Sequence, residues 1–306
     1  GRHPRGYGSY STHVSATSTG GVGGSGYGSG QAGGNGGTSE ASAYGQGQTV
    51  YVAAAVYGGH GGTGDGHAHG GLPAGVDLTD AVSGAATSGL DLWQSAFAGH
   101  GGASVGGVAA AGGNATSTLT TTNPGGGVLS GRSSATAGNG GNGSLGALGA
   151  SGGNATASID LVNVAAVNVF TESTGGAGGA SVDAHGGQGG AASLGVVSGT
   201  STSNDSVTVH GRATGGSGGS SESGQAGNGA SISLVDAVAG TTVGSLSLTQ
   251  EAVGGTAGST YTGVGGLAGE AKSQLESTVD WLSWLSITAR ALAGNGGDRY
   301  DSAGSA

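Results

Sequence analysis

The sequence predicts an all-β protein in which layered strands, solenoid-like or sandwich-like, alternate with extended polyglycine II tracts, with one helix near the C-terminal end. Three observations predict it. β-branched runs such as TVYVAAAVY (Thr49 to Tyr57) and IDLVNVAAVNVF (Ile159 to Phe170) sit between tracts whose glycines come in pairs separated by one small residue, as in GGAGGASVDAHGGQGG. A phrase also returns: GGNATSTLT at Gly112 reappears as GGNATASID at Gly152, with a looser echo, GNGASISLV, at Gly227. The spacing is irregular, which makes this a degenerate repeat rather than a strict tandem array. Finally, 77 of 306 residues are Gly and only 4% are aromatic, so a conventional core cannot form. Charged residues at 8% and a mean hydropathy of -0.03 argue against a disordered linker.

Residues 1–19 are expected to form an N-terminal arm: GRHPRGYGSYSTHVSATST carries Tyr7 and Tyr10 among turn residues, then alternates like a short strand. The body spans 20–269. Its first glycine tract is Gly20 to Glu40, its first firm strand Thr49 to Tyr57, and its second tract Gly58 to Gly75. Val76 to Ala98 is mixed strand and loop. Asn114 to Asn123 is a Thr-rich strand that stops at Pro124, which has no N–H to give to a ladder.

The run from Ile159 is apolar on both parities, which predicts a strand covered on both faces. Its partner tract, with no side chains to pack, suits a three-residue-per-turn helix that makes no internal hydrogen bonds and must find neighbours. About fifteen strand residues at ~3.3 Å each and about sixteen tract residues at ~3.1 Å each both reach roughly 50 Å, so the two could stack as layers of equal length. Leu194 to His210 continues the theme, and Ser231 to Val253 is two strands joined at Gly240. In 270–294, Leu275, Val279, Leu282, Leu285, Ala289 and Leu292 recur at helical spacing, with Glu270 early, Arg290 late and Gly294 as a stop. This predicts an amphipathic helix with Trp281 and Trp284 beside its apolar stripe, with a strand over Val279 to Ala291 as the alternative, followed by a tail over 295–306.

A net charge of -10 with seven basic residues offers no cationic patch for nucleic acid. No apolar run approaches the ~20 residues of a membrane span. The absence of cysteine leaves the compartment open, while a start at Gly1 without a leader fits a mature secreted product or an excised fragment. His60, Asp65, His67 and His69 lie within ten residues and are donors suited to Zn or Cu, against a competing role in hydrogen bonding between tracts. Beyond such a metal, no cofactor is implied. Gly1-Arg2-His3 would chelate copper or nickel at a free amino terminus, and GGTGDGHAH partly matches a calcium-binding nonapeptide. Asn114, Asn142, Asn154 and Asn204 head glycosylation sequons. No nucleophile, base and orienting acid stand in a catalytic order, and the glycine pairs lack the strand and capped helix that a nucleotide site needs. An enzyme is not expected.

In its GGNATA-type phrases between Ala/Ser/Thr/Val strands, from Gly20 to Gly269, the chain resembles glycine-rich, repeat-bearing surface and extracellular-matrix proteins of bacteria. Its glycine tracts also look like the polyglycine II bundles of phage tail-tip adhesins and of small glycine-rich antifreeze proteins. The resemblance implies an extracellular, structural or adhesive role and carries no functional residues across. The expectation is therefore a secreted subunit of a homopolymeric filament, fibre or sheath, because glycine tracts full of unpaired amides demand lateral partners. Its own copies would be the partners, with Tyr7, Tyr10, Trp281, Trp284 and Leu285 at the assembly interface. Two other readings stand beside it: an adhesin displaying loops to surface glycans, and an ice-binding protein using the threonines of Ser117 to Thr122 and Thr200 to Val209.

Overall fold

In the computed structural model, which describes residues 11–277 and 282–300, strands and glycine tracts are successive parts of one repeating coil. Each coil runs out along a strand, continues into a glycine tract, turns, and returns along a second tract into a second strand. The outgoing strands are Ser11–Thr19, Ala43–Tyr57, Val82–Phe97, Val128–Thr136, Val167–Thr174, Val207–Thr214, Ser245–Val253 and Trp284–Leu292. They form an eight-stranded front sheet in that order, and so define seven coils of a parallel β-solenoid. The returning strands Val76–Thr79, Ala115–Thr122, Ala155–Asn163, Ala192–Ser201 and Ala239–Thr241 form the back sheet, and Ile232–Val235 pairs with Ala271–Gln274 beside it. Front partners lie 38 to 40 residues apart: Ser11 with Thr49, Thr49 with Gly89, Gly89 with Val128, Val167 with Val207.

The strand half is a two-sheet sandwich. Front residues Val52, Leu92, Leu129 and Leu246 are fully buried against back residues Leu119, Ile159, Leu161 and Val197. Burial alternates along the strands with the period of two that a one-sided sheet requires. Here the structure corrects the two-sided strand expected from Ile159 to Phe170. That run is two strands, Ala155–Asn163 in the back sheet and Val167–Thr174 in the front sheet, each buried on one face. Its second set of apolar residues faces out, with Val162 37% and Val164 57% exposed near the corner.

The glycine half has the expected polyglycine II character: bonds recur at every third residue and lead to neighbouring runs. Strand and tract lie end to end within a coil, however, so tract packs on tract and strand on strand instead of one layering on the other. One unbroken zigzag of N–H···O bonds crosses the molecule. Gly37 donates to Gly21, Gly59 to Gly37, Ala74 to Gly59 and Gly99 to Ala74, and the row continues to Gly294 on Gly269, at 2.7 to 3.0 Å. A second row three residues away runs from Gly34 on Gly24 to Gly297 on Gly266. The triplet at His100 accounts for all its amides. His100 N–H donates to the ring of His60 one coil back, Gly101 N–H to Asn139 O one coil on, and Gly102 N–H to Gly71 O of the facing run. Inward positions are glycine because the runs touch: a Cβ on Gly138 would overlap the carbonyl oxygen of Gly99.

Two terminal expectations change. Of the expected arm, the alternating stretch Ser11–Thr19 is a strand and forms the first rung of the front sheet, while residues 1–10 lie outside the described residues. The helix expected over 270–294 is not formed: Ala271–Gln274 pairs with Ile232–Val235, and Trp284–Leu292 is the last front strand. Leu285, Ile287, Ala289 and Ala291 lie in register with Leu246, Leu248, Gln250 and Ala252, so the period imposed by the preceding strand overrides the helical spacing.

Candidate functional site

Because every coil repeats the same path, side chains some forty residues apart stand in columns along the solenoid axis. Three sets of columns bear on function: the outward positions of the tracts, the outer face of the front sheet, and the open edges of the first and last described coils.

The tract columns explain the histidines. The third residue of each Gly-Gly-x triplet points outward, and its amide is left over from the zigzag. A side chain one coil back accepts it: His60 Nδ1 from His100, His100 Nδ1 from Asn139, Asn139 Oδ1 from Ala177. His69 does the same for Val108 and His185 for Gln225. A nitrogen that accepts an N–H is unprotonated, so these rings serve as neutral amide caps. His60 and His100 also stack, with centroids 4.5 Å apart. Burial, and then the neighbouring His60, lower the pKa of His100.

The four expected metal ligands are therefore spread out. His60 lies on an outgoing tract and His69 on a returning one. Asp65 and His67 lie at the turn between them, where Asp65 Oδ1 accepts the Gly66 amide and His67 Nδ1 lies 3.2 Å from Gly106 O. Among the described residues no three His, Cys, Asp or Glu side chains come together as a metal-holding group. Gly1-Arg2-His3 lies outside the described residues. Of the sequon residues, Asn114, Asn142 and Asn154 cap amides in the next coil through Oδ1. Outer-face threonines align briefly, as in Thr136, Thr174 and Thr214.

The outer face of the front sheet gathers residues that the sequence leaves scattered. One column runs Trp93, Arg132, Phe170, His210, each in register with the next. The Arg132 guanidinium lies 4.5 Å from the Phe170 ring centre and 5.5 Å from that of Trp93, and Phe170 and His210 stack at 5.0 Å. Glu172 Oε2 accepts from Arg132 at 3.1 Å and fixes the guanidinium. Such a stack of π faces and a cation is attractive at every step. The adjacent column runs His13, Tyr51, Asp91, Ser130, Asn168, Thr208. Asp91 Oδ1 accepts from Trp93 Nε1 at 2.8 Å, and Asn168 donates to Ser130. Between the two columns lies an open groove of about 370 Å³. Burial raises the pKa of Asp91 against the opposing effect of the Trp93 hydrogen bond, and burial lowers that of His210 against Glu251. Sequence reasoning missed this site because its members are one coil apart; aligning the front strands at 38 to 40 residues would have shown it.

At the last described coil, Trp284 is 55% and Leu285 38% exposed, on a strand paired along one edge. Trp281, Tyr7 and Tyr10 lie outside the described residues. No helix among the described residues is long and apolar enough to cross a membrane. No family model, no curated protein and no solved structure matches the chain.

Proposed function

We propose that this chain is a structural subunit of an extracellular homopolymeric filament, growing by the stacking of one copy's first coil on another copy's last. The observation that carries the reading is the contrast between Leu285 and Ile287 and the residues they repeat. Leu246 and Leu248, one coil earlier, are 0% and 2% exposed, whereas Leu285 and Ile287 are 38% and 37% exposed. Among the described residues the last coil thus presents an apolar strip and an unpaired strand edge of the kind that each earlier coil covers with the next.

The first coil has the matching form. Among the described residues Ser11–Thr19 pairs on one side only, with Thr12, Val14, Ala16 and Ser18 as its inward set. Ser11 and Trp284 occupy the same register position of the front sheet, and each is followed at the same distance by a zigzag glycine, Gly21 and Gly294. The tracts find their hydrogen-bond partners within one chain, so amide hunger along the body is no argument for assembly. The support is confined to the two edges. An extracellular place follows the resemblance of the glycine phrases to bacterial surface and matrix proteins. No chemistry is assigned to the assembly beyond main-chain pairing and apolar burial.

Electron microscopy and light scattering of the purified chain test it. Filaments of uniform width are expected at neutral pH, and Leu285→Asp with Ile287→Asp should leave soluble single molecules with an unchanged strand signal in circular dichroism. A wild-type chain that stays monomeric at high concentration, or filaments that survive the double substitution, would remove the proposal.

A further inference from the structure

We propose that the groove on the outer face of the front sheet binds a neutral polysaccharide chain lying along the solenoid axis. This goes beyond the filament reading and does not rest on it, since the groove is complete within one chain.

The groove has two unlike sides that run parallel over several coils. One is the Trp93, Arg132, Phe170, His210 column, whose rings are held in place by stacking and by the Trp93 to Asp91 and Arg132 to Glu172 hydrogen bonds. The other is a row of short polar groups, Asp91, Ser130, Asn168 and Thr208. A pyranose has the same division: apolar C–H patches that can lie along the edges of the stacked rings, and a rim of hydroxyls that both donate and accept. The polar row supplies acceptors at Asp91, donors and acceptors at Asn168, and hydroxyls at Ser130 and Thr208. Concave sites that combine apolar walls with a few fixed polar groups are the usual form of ligand sites, and here the fixing partners are already in place before binding.

Three observations choose a neutral sugar chain over other ligands. Asp91 lines the groove and the chain carries a net charge of -10, which repels an anionic polymer. Arg132 is committed to Glu172, and Arg212 and Arg290 to Glu251, so the cations on this face are already paired. The columns also repeat from coil to coil, and the groove that Ser130 and Asp91 share with Tyr51 and His13 extends the same face toward the first coil. The rungs differ in side chain but follow one another in register, so a chain of evenly spaced units can run along them.

The test uses the whole chain at a concentration where light scattering gives single molecules. Titration calorimetry with cellohexaose and maltohexaose, and with hexagalacturonate as the charged control, is expected to give saturable binding of at least one neutral hexasaccharide. Trp93→Ala should weaken it at least tenfold, and Phe170→Ala several-fold. Thr249→Ala, in the same column beyond the groove, should leave it unchanged. Circular dichroism and the melting temperature of each variant separate lost binding from lost fold. Asn168→Ala, a change of an outward polar residue, gives a second reading should Trp93→Ala unfold. Absence of binding by both neutral sugars, binding of hexagalacturonate alone, or wild-type affinity in folded Trp93→Ala and Asn168→Ala would each overturn the proposal. Filament formation is read separately and does not enter the outcome.

Discussion

In the strand half of each coil the inward positions are large. Leu92, Leu129, Leu161 and Leu246 are buried without remainder, and each contributes about 1.5–3 kcal/mol by leaving water. In the glycine half most inward positions have no side chain, and the exceptions are alanines such as Ala74 and Ala110. The runs approach until carbonyl oxygens stand where a Cβ would be, and the cohesion is a lattice of main-chain bonds worth about 0.5–1.5 kcal/mol each net. The same coil path thus obeys opposite substitution rules in its two halves. In one, removing atoms is harmful; in the other, adding them is.

The largest expected effect breaks that comparison from the glycine side. Gly138→Val places a branched side chain onto Gly99 O and the neighbouring Gly113 amide, deep in the stack. Since overpacking against movable side chains already costs about 1–3 kcal/mol, a clash with fixed backbone should exceed it and leave little folded protein by circular dichroism. Gly21→Ala is the control in the same zigzag row. Nothing lies within 4 Å of its Cβ position, and its stability should stay within about 0.5 kcal/mol of wild type. Equal losses in the two would show that close approach is not what selects glycine.

From the strand side, Leu161→Ala should cost about 2–5 kcal/mol in urea unfolding, because Leu161 is wholly buried between the two sheets. A smaller effect belongs to the seam. Gln94 is buried and spans both sheets: its Oε1 accepts the Ala81 amide and its Nε2 donates to Ser117 Oγ and Thr118 O. Gln94→Leu keeps the bulk but leaves the Ala81 amide without its acceptor, while Ser117 Oγ keeps Ser133 and Thr118 O keeps the Asp80 amide, for an expected loss of about 1–3 kcal/mol. Full stability in that variant would mean that water or rearranged partners take over.

Why the alternation and the solenoid-like layering were legible and the regular coil length was not follows from these residues. Paired glycines and β-branched runs announce the two materials directly. The coil length is hidden because front columns share a place rather than a residue type, as Trp93, Arg132, Phe170 and His210 do, and because turns absorb one or two residues per coil. A stronger signal was present: VDLTDAV at 76–82 and ISLVDAV at 232–238 each precede a buried glutamine, Gln94 and Gln250, thirteen residues after Ala81 and Ala237. Both place an Asp with positive φ at the turn, Asp80 and Asp236. The helix reading of 270–294 failed because leucine spacing in an isolated segment cannot reveal that a strand edge at Ser245–Val253 is waiting to pair. The outer groove was invisible for the same reason as the coil: no two of its ring-bearing residues are neighbours in sequence.

The smallest effect concerns the outward side-chain caps of the glycine half. His100 accepts the Asn139 amide through Nδ1, and burial together with His60 holds its pKa below the ordinary value. A histidine with a depressed pKa binds fewer protons folded than unfolded. Its contribution is therefore complete above the ordinary histidine range, near 6.5, and is lost as pH falls below that value toward the depressed one. The melting temperature should accordingly fall between pH 7.5 and 5. His100→Asn tests whether the cap is the cause, because an asparagine already does this work one coil on, where Asn139 Oδ1 accepts the Ala177 amide. The variant should match wild type at pH 7.5 and lose less on acidification. The remaining slope includes His210, whose pKa burial also lowers. An unchanged pH profile in His100→Asn would detach the His100 cap from acid sensitivity.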